Sequence, residues 1–267
     1  MTLARRAGAQ WERRIRRAEQ LAADRGPAAS LLTFYARVLR QQRALYEELS
    51  GTGGLSGSLP RDAARVGGAA LALLHDVEAH GPQPLADEAR ALIAGGVPQI
   101  TERLAAYSRE PSDRDFFAKA IVQPYGEQLA HAAIVRADRS GIPADNRCPA
   151  CGGAPQLSFL EPTTGLTGDG GGRSLLCAGC LAAWPFRRVR CPACGEEDER
   201  KLAYYHAPDL EHLRVDACET CHHYLKAVDL TKLGLAVPLV DEVAGASLDL
   251  WAREHGYDKI ELNLVGL

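Results

Sequence analysis

The chain has 267 residues, 46% of them hydrophobic, and 31 Lys and Arg against 34 Asp and Glu give a formal net charge of −3. That length exceeds a typical single domain and supplies one large or two modest cores. The charge balance offers no global attraction to nucleic acid or to an anionic membrane surface, and no stretch approaches the roughly 18 apolar residues of a membrane span.

Arg5 and Arg6 are followed by no apolar run and no small-residue cleavage site. The N-terminus therefore reads as neither a secretory nor a twin-arginine signal, and a cytoplasmic protein with reduced thiols is expected. From there the first half reads as helical. Trp11, Ile15, Ala18 and Ala22 recur at helical spacing, as do Leu31, Tyr35, Val38, Leu45 and Leu49, with Ser30 as a cap near the second helix. The glycine- and serine-rich segment 50–60 breaks the chain before an Ala/Leu-rich run that ends near His80. Further helices are expected at 85–94, 97–107, 112–121 and 124–138, then a linker at 138–146. Arg13, Arg14, Arg16 and Arg17 form a basic face on the first helix, read as solvated. His75, His80 and His131 are isolated. No phosphate-binding loop, H-E-x-x-H or G-x-S-x-G is present, so enzymatic chemistry has no seat and no catalytic residue is nominated.

The second half is organised by sulfur. All eight cysteines fall into C-x-x-C pairs: Cys148 with Cys151, Cys177 with Cys180, Cys191 with Cys194, and Cys218 with Cys221. One such pair would be ambiguous between a redox dithiol and a metal knuckle, whereas four in under eighty residues of a cytosolic chain point to metal. Two residues between thiolates let one tight turn aim both sulfurs at a common point, and two turns close a tetrahedral shell around zinc or a single iron ion. The hexapeptide RCPACG at 147–152 recurs at 190–195, and each copy is followed some two dozen residues later by a plainer pair. This duplication favours sequential closure: Cys148, Cys151, Cys177 and Cys180 around one ion, Cys191, Cys194, Cys218 and Cys221 around the other, with interleaved pairing as the alternative. The run Cys218 to His222 also spells the C-x-x-C-H of c-type haem attachment, but its cysteines are already required by the second shell. His222 and His223 read as partly exposed imidazoles, with replacement of a thiolate as the lesser alternative.

Between the pairs, QLSFLE, SLLC, FRRVRC, LAYYHA and LRVDAC read as short strands separated by turn material such as 162–172. Trp184, Phe186, Tyr204 and Tyr205 are expected in the small cores. Arg147, Arg173, Arg187, Arg188 and Arg190 crowd the region and would balance the negative charge of a four-thiolate centre. A basic patch for RNA or an acidic partner is the sharper alternative. Residues 241–257 read as one final helix with Val243, Leu250 and Trp251 inward and Gly256 as its stop.

The order RCPACG, then CAGC followed by Trp184 and RRVRCPACG, then DACETCHHYLK, then ASLDLWAREHGYDKIELN resembles the FdhE family of formate dehydrogenase accessory proteins. The resemblance runs from Arg147 to the C-terminus. It implies a cytoplasmic assembly factor that is not an enzyme, binds the catalytic subunit of formate dehydrogenase, and holds two iron ions, zinc being possible, in rubredoxin-like sites. The eight cysteines carry over as ligands position for position. The expected architecture is α+β and multi-domain: an α-helical domain at 1–140, four-cysteine ribbons at 147–189 and 190–230, and a C-terminal helical segment at 231–267. Two rivals stand beside it, a zinc-ribbon nucleic-acid binder and a dithiol oxidoreductase.

Overall fold

A computed structural model describes residues 3–24, 26–51, 54–132, 146–162 and 172–267. The expected linker and the glycine-rich turn at 162–172 lie almost wholly outside the described residues. The chain divides into two compact units with the boundary between residues 140 and 141. The architecture is the α+β one expected, with eight α-helices and seven strands among the described residues.

The first unit is helical: α1 (Leu3–Ala23), α2 (Ala29–Gly51), α3 (Leu59–Ala69), α4 (Leu71–His80), α5 (Gln83–Arg109) and α6 (Phe116–His131). α1 and α6 pack on α2, and α5 packs on α3 and α4. Of the apolar positions read from spacing, Trp11, Ile15, Ala18, Tyr35, Val38, Leu45 and Leu49 are buried, and Ala22 and Leu31 are half-buried. α2 begins at Ala29, before Ser30. The break expected near residue 95 is present inside α5, where Gly96 leaves helical geometry at φ 66° and Pro98 follows.

Arg14 is not solvated: it is buried, lies over the Trp11 ring, and makes a bidentate ion pair with buried Glu127 of α6 at 2.8 and 3.1 Å. The helices expected at 112–121 and 124–138 are one continuous helix through Pro124, within the residues described. A proline there removes the N–H that would bond the carbonyl of Ala120. Gln42 of α2 supplies the missing donor, its Nε2 lying 2.9 Å from that oxygen.

The second unit is built on one sheet: β1 (Pro155–Leu160), β2 (Arg173–Cys177), β3 (Ala183–Phe186), β4 (Leu202–His206), β5 (Leu213–Cys218), β6 (His223–Asp229) and β7 (Asp258–Lys259). The strand order is β3-β2-β1-β6-β5-β4, with β7 also on β6. Each cysteine-bearing half contributes an antiparallel three-stranded ribbon, and the parallel pairing of β1 with β6, Leu157 opposite Lys226 through Leu160 opposite Asp229, fuses the two. β1 is buried along its whole length and β6 along its middle, so neither is suited to a solvent-facing edge. The sequence of β6 carries no clear strand pattern, since Lys226 interrupts its apolar run. The strand expected over FRRVRC ends at Phe186, and residues 188–190 are bends.

Two helices, α7 (Pro238–Ala244) and α8 (Ala246–Glu254), replace the single final helix expected. Gly245 lies between them and packs tightly on the sheet, where a Cβ would lie 2.7 Å from Leu213 Cδ1. The break leaves the carbonyls of Glu242 and Gly245 to accept from Lys226 Nζ, the latter at 3.3 Å. Val243 is buried as expected, Trp251 half-buried against Tyr205, but Leu250 points outward and is 54% exposed.

Four charged side chains are buried under these helices. Lys226 and Lys259 meet Glu242 and Asp249, with Lys226 to Glu242 at 3.1 Å and Lys259 to Asp249 at 3.2 Å. Tyr224 donates to Asp249 at 2.9 Å, and Asn263 donates to Glu242 at 2.8 Å. Two ammonium groups against two carboxylates make a neutral, hydrogen-bonded cluster, the condition under which buried charge is tolerated.

Candidate metal centres

Each C-x-x-C forms the same closed turn. The amide following the second cysteine donates to the carbonyl of the first: Gly152 to Cys148 at 2.8 Å, Leu181 to Cys177 at 3.2 Å, Gly195 to Cys191 at 3.0 Å and His222 to Cys218 at 2.9 Å. That donating residue is left-handed in all four, with φ of 75°, 56°, 82° and 56° in the same order. Amides inside the turns reach sulfur, Gly179 to Cys177 Sγ at 3.3 Å and Ala193 to Cys191 Sγ at 3.4 Å. Gly153 must remain small, since a Cβ would lie 3.1 Å from Cys177 Sγ.

The eight sulfurs gather in the two sequential sets read from the duplication, Cys148, Cys151, Cys177 and Cys180 in one and Cys191, Cys194, Cys218 and Cys221 in the other. Within each set all sulfurs lie within 4.8 Å of one another. The close approaches run between turns, Cys148 to Cys180 at 3.5 Å, Cys151 to Cys177 at 3.3 Å, and both Cys191 to Cys221 and Cys194 to Cys218 at 3.7 Å. These exceed a disulfide bond by well over an ångström. A tetrahedron with metal–sulfur bonds of about 2.3 Å has edges of about 3.8 Å, so the donor set fits one ion per cluster. Packed thiols cannot all ionise without a cation. Interaction with Cys151 holds Cys148 far below the ordinary thiol range, while interaction with Cys148 drives Cys180 far above it.

The surroundings differ. The first set is enclosed by Leu175, Trp184, Phe186 and, from the other half of the sheet, Leu225. In the second set Cys194 is exposed and Cys221 half-buried. Its turns are braced by polar side chains that spacing did not reveal. Glu196, just after the third turn, accepts from Thr220 of the fourth at 2.6 Å and from Lys201 at 3.3 Å. The Thr220 hydroxyl, then the Asp198 amide and Lys201, hold the Glu196 carboxyl down at about 2. Tyr257 donates to Glu219 at 2.5 Å, and the amide of Asp258 bonds the carbonyl of His222. His222 is exposed beside Tyr257, and neither it nor His223 belongs to a sulfur cluster. Acidic residues within and beside the cysteine turns were the available signal.

The arginines divide by role. Arg173 is buried, pairs with Asp216 at 3.2 Å and donates to the carbonyls of Arg188 and Arg190. Arg187 meets Glu197 at 3.2 Å, whereas Arg147 and Arg188 are exposed. Trp184 and Phe186 occupy the core as expected, but Tyr204 is 63% exposed and Tyr205 only half-buried, because β4 is the last strand of the sheet.

A helical unit and a unit built on a mixed sheet with two four-sulfur clusters define a class, that of α+β proteins with paired rubredoxin-like cysteine turns. Comparison with known proteins narrows it. A family model described as the FdhE C-terminal domain matches residues 189–265. The protein named Protein FdhE homolog from Aquifex aeolicus is 32% identical over 197 residues, covering 73% of this chain and 68% of that protein. Protein FdhE from Escherichia coli is 29% identical over 199 residues, 73% of this chain and 59% of that protein. The crystal structure of the FdhE protein from Pseudomonas aeruginosa shares the fold, with a TM-score of 0.65 at 24% identity over 97% of this chain and 95% of that one. The chain belongs to the FdhE family.

Proposed function

We propose that this protein is a cytoplasmic accessory factor for formate dehydrogenase, acting on the enzyme's catalytic subunit by binding and not by catalysis. The observation that carries the reading is the conjunction of FdhE family membership with two intact four-sulfur clusters. In this reading Cys148, Cys151, Cys177 and Cys180 hold one ion, and Cys191, Cys194, Cys218 and Cys221 hold the second. Iron is the proposed ion in both. A four-thiolate iron centre supplies a one-electron ferric/ferrous couple, which zinc does not. The protein's own residues do the remainder: the turns fix the sulfurs, Glu196 and Tyr257 brace the second pair of turns, and the sheet joins both centres into one surface. No described helix is long and apolar enough to cross a membrane, which accords with a factor that attends its client in solution.

The test is co-purification from the native host of the formate dehydrogenase catalytic subunit with the intact protein and with a Cys191→Ala/Cys194→Ala variant. Recovery with the intact protein alone supports the reading, and recovery with neither overturns it.

A further inference from the structure

A cavity of about 330 Å3 opens between the second sulfur cluster and β4, with Arg188, Val189, Leu202, Tyr204 and Arg214 in its wall. Its charge is not consumed by the fold. Arg214 donates to Asp216 at 2.7 Å and Arg173 pairs with the same carboxylate at 3.2 Å, so two guanidinium groups share one acid. Arg190 lies over Gly195 of the third cysteine turn and meets Glu197 at 3.6 Å. Arg173 is held against the carbonyls that lead into Cys191. Those two arginines are placed to balance a filled centre. Arg188 is exposed and has no carboxylate partner among the described residues, and Glu199 is the remaining acid in the wall.

The wall is also apolar and open. Tyr204 is 63% exposed with the Arg214 guanidinium 5.4 Å from its ring centre, and Val189 is 40% exposed. β4 is the terminal strand of the sheet, so its outer edge offers a row of main-chain donors and acceptors. Glu199 in the wall, with Glu196, Glu197 and Asp198 next to it in the sequence, disfavours a polyanion at this place, whereas a single carboxylate is opposed by Glu199 alone, since Asp216 is shared by Arg173 and Arg214.

We propose that this cavity is a binding site for an acidic peptide: an extended segment adds to the edge of β4, sets one Asp or Glu carboxylate between Arg188 and Arg214, and lays a neighbouring apolar side chain on Tyr204 and Val189. That the occupant belongs to a protein client rests on the accessory-factor reading above.

The test is selection of a random peptide library on the metal-loaded full chain, followed by fluorescence-anisotropy titration of the best peptide. Its Gln analogue and a single-stranded oligonucleotide serve as comparison probes. Selected peptides are expected to carry Asp or Glu beside an apolar residue, and the Gln analogue is expected to bind about tenfold more weakly, the scale of one charge-assisted contact. Arg188→Glu and Tyr204→Ala, both at exposed side chains, are each expected to weaken the parent peptide by at least about tenfold while leaving metal content unchanged. Selection without acidic enrichment, equal binding by Arg188→Glu, or tighter binding of the oligonucleotide overturns the proposal. If Arg188→Glu and Tyr204→Ala both capture the formate dehydrogenase catalytic subunit as well as the intact protein does, the cavity assignment falls and the accessory reading stands.

Discussion

Every cysteine turn closes on a left-handed residue, and two of those residues are not glycine. A side chain held at positive φ costs on the order of 1–3 kcal/mol, which the surrounding turn must over-determine. Leu181 is buried and recovers part of that cost by packing, but His222 is exposed. His222→Gly is therefore expected to raise the stability of the metal-loaded protein by about 1 kcal/mol, read from its denaturant midpoint. The glycines after Cys151 and Cys194 announce this geometry in the sequence, whereas Leu181 and His222 conceal it because closure of the turn, not residue preference, imposes their conformation. A second residue-scale expectation concerns Gln42, whose side chain bonds the Ala120 carbonyl left open by Pro124. Gln42→Leu leaves that oxygen buried and unpaired, and a loss of about 1–3 kcal/mol is expected from thermal or chemical unfolding of the helical unit.

At the scale of elements, α1 and α2 were legible because apolar spacing decides them, and the break at Gly96 was legible because glycine and proline punctuate it, whereas Pro124 suggested a boundary that α6 does not have. What escaped were features fixed by a partner distant in sequence. Arg14 looks solvated until Glu127 of α6 is set against it. β6 looks like a mere sequel to its cysteine turn until Lys226 is set against the end of α7, where its Nζ donates to the carbonyls of Glu242 and Gly245. Removing one member of such a buried cluster leaves charge uncompensated, so Lys226→Met is expected to destabilise the second unit by about 3–5 kcal/mol. The cluster also sets a pH dependence. Burial by itself raises the pKa of Glu242, but Lys226 and Lys259 outweigh it and hold the carboxyl below its usual value. A carboxylate depressed in the folded state contributes stability above its unfolded pKa of about 4.3, and that contribution is lost as pH falls through the folded value. Wild type should therefore lose stability on acidification below about pH 4 more steeply than Glu242→Gln, compared by denaturant midpoints across that range.

For the whole molecule, the duplicated cysteine pattern was legible down to which four sulfurs meet, since spacing and repetition constrain a tetrahedral cluster more tightly than they constrain a strand. Fusion of the two ribbons through β1 and β6 was not, because parallel pairing of strands some seventy residues apart, Leu157 with Lys226 for instance, leaves no local mark. The two units differ in what holds them. The helical unit has a conventional apolar core around Trp11, Tyr35 and Phe117, whereas around the first sulfur set the buried cluster is in part the cysteines themselves. Chelation of the ions is therefore expected to abolish hydrogen-exchange protection at 146–162 and 172–229 while α1 to α6 keep theirs. Equal loss in both units would assign the metal a role beyond its own sheet. The second unit and its proposed role both depend on sulfur-bound metal. Elemental analysis joined to X-ray absorption on freshly purified protein tests that most directly: it predicts two ions per chain, each with four sulfur neighbours at about 2.3 Å. A metal-free protein, or ions with fewer than four sulfur neighbours, would contradict it.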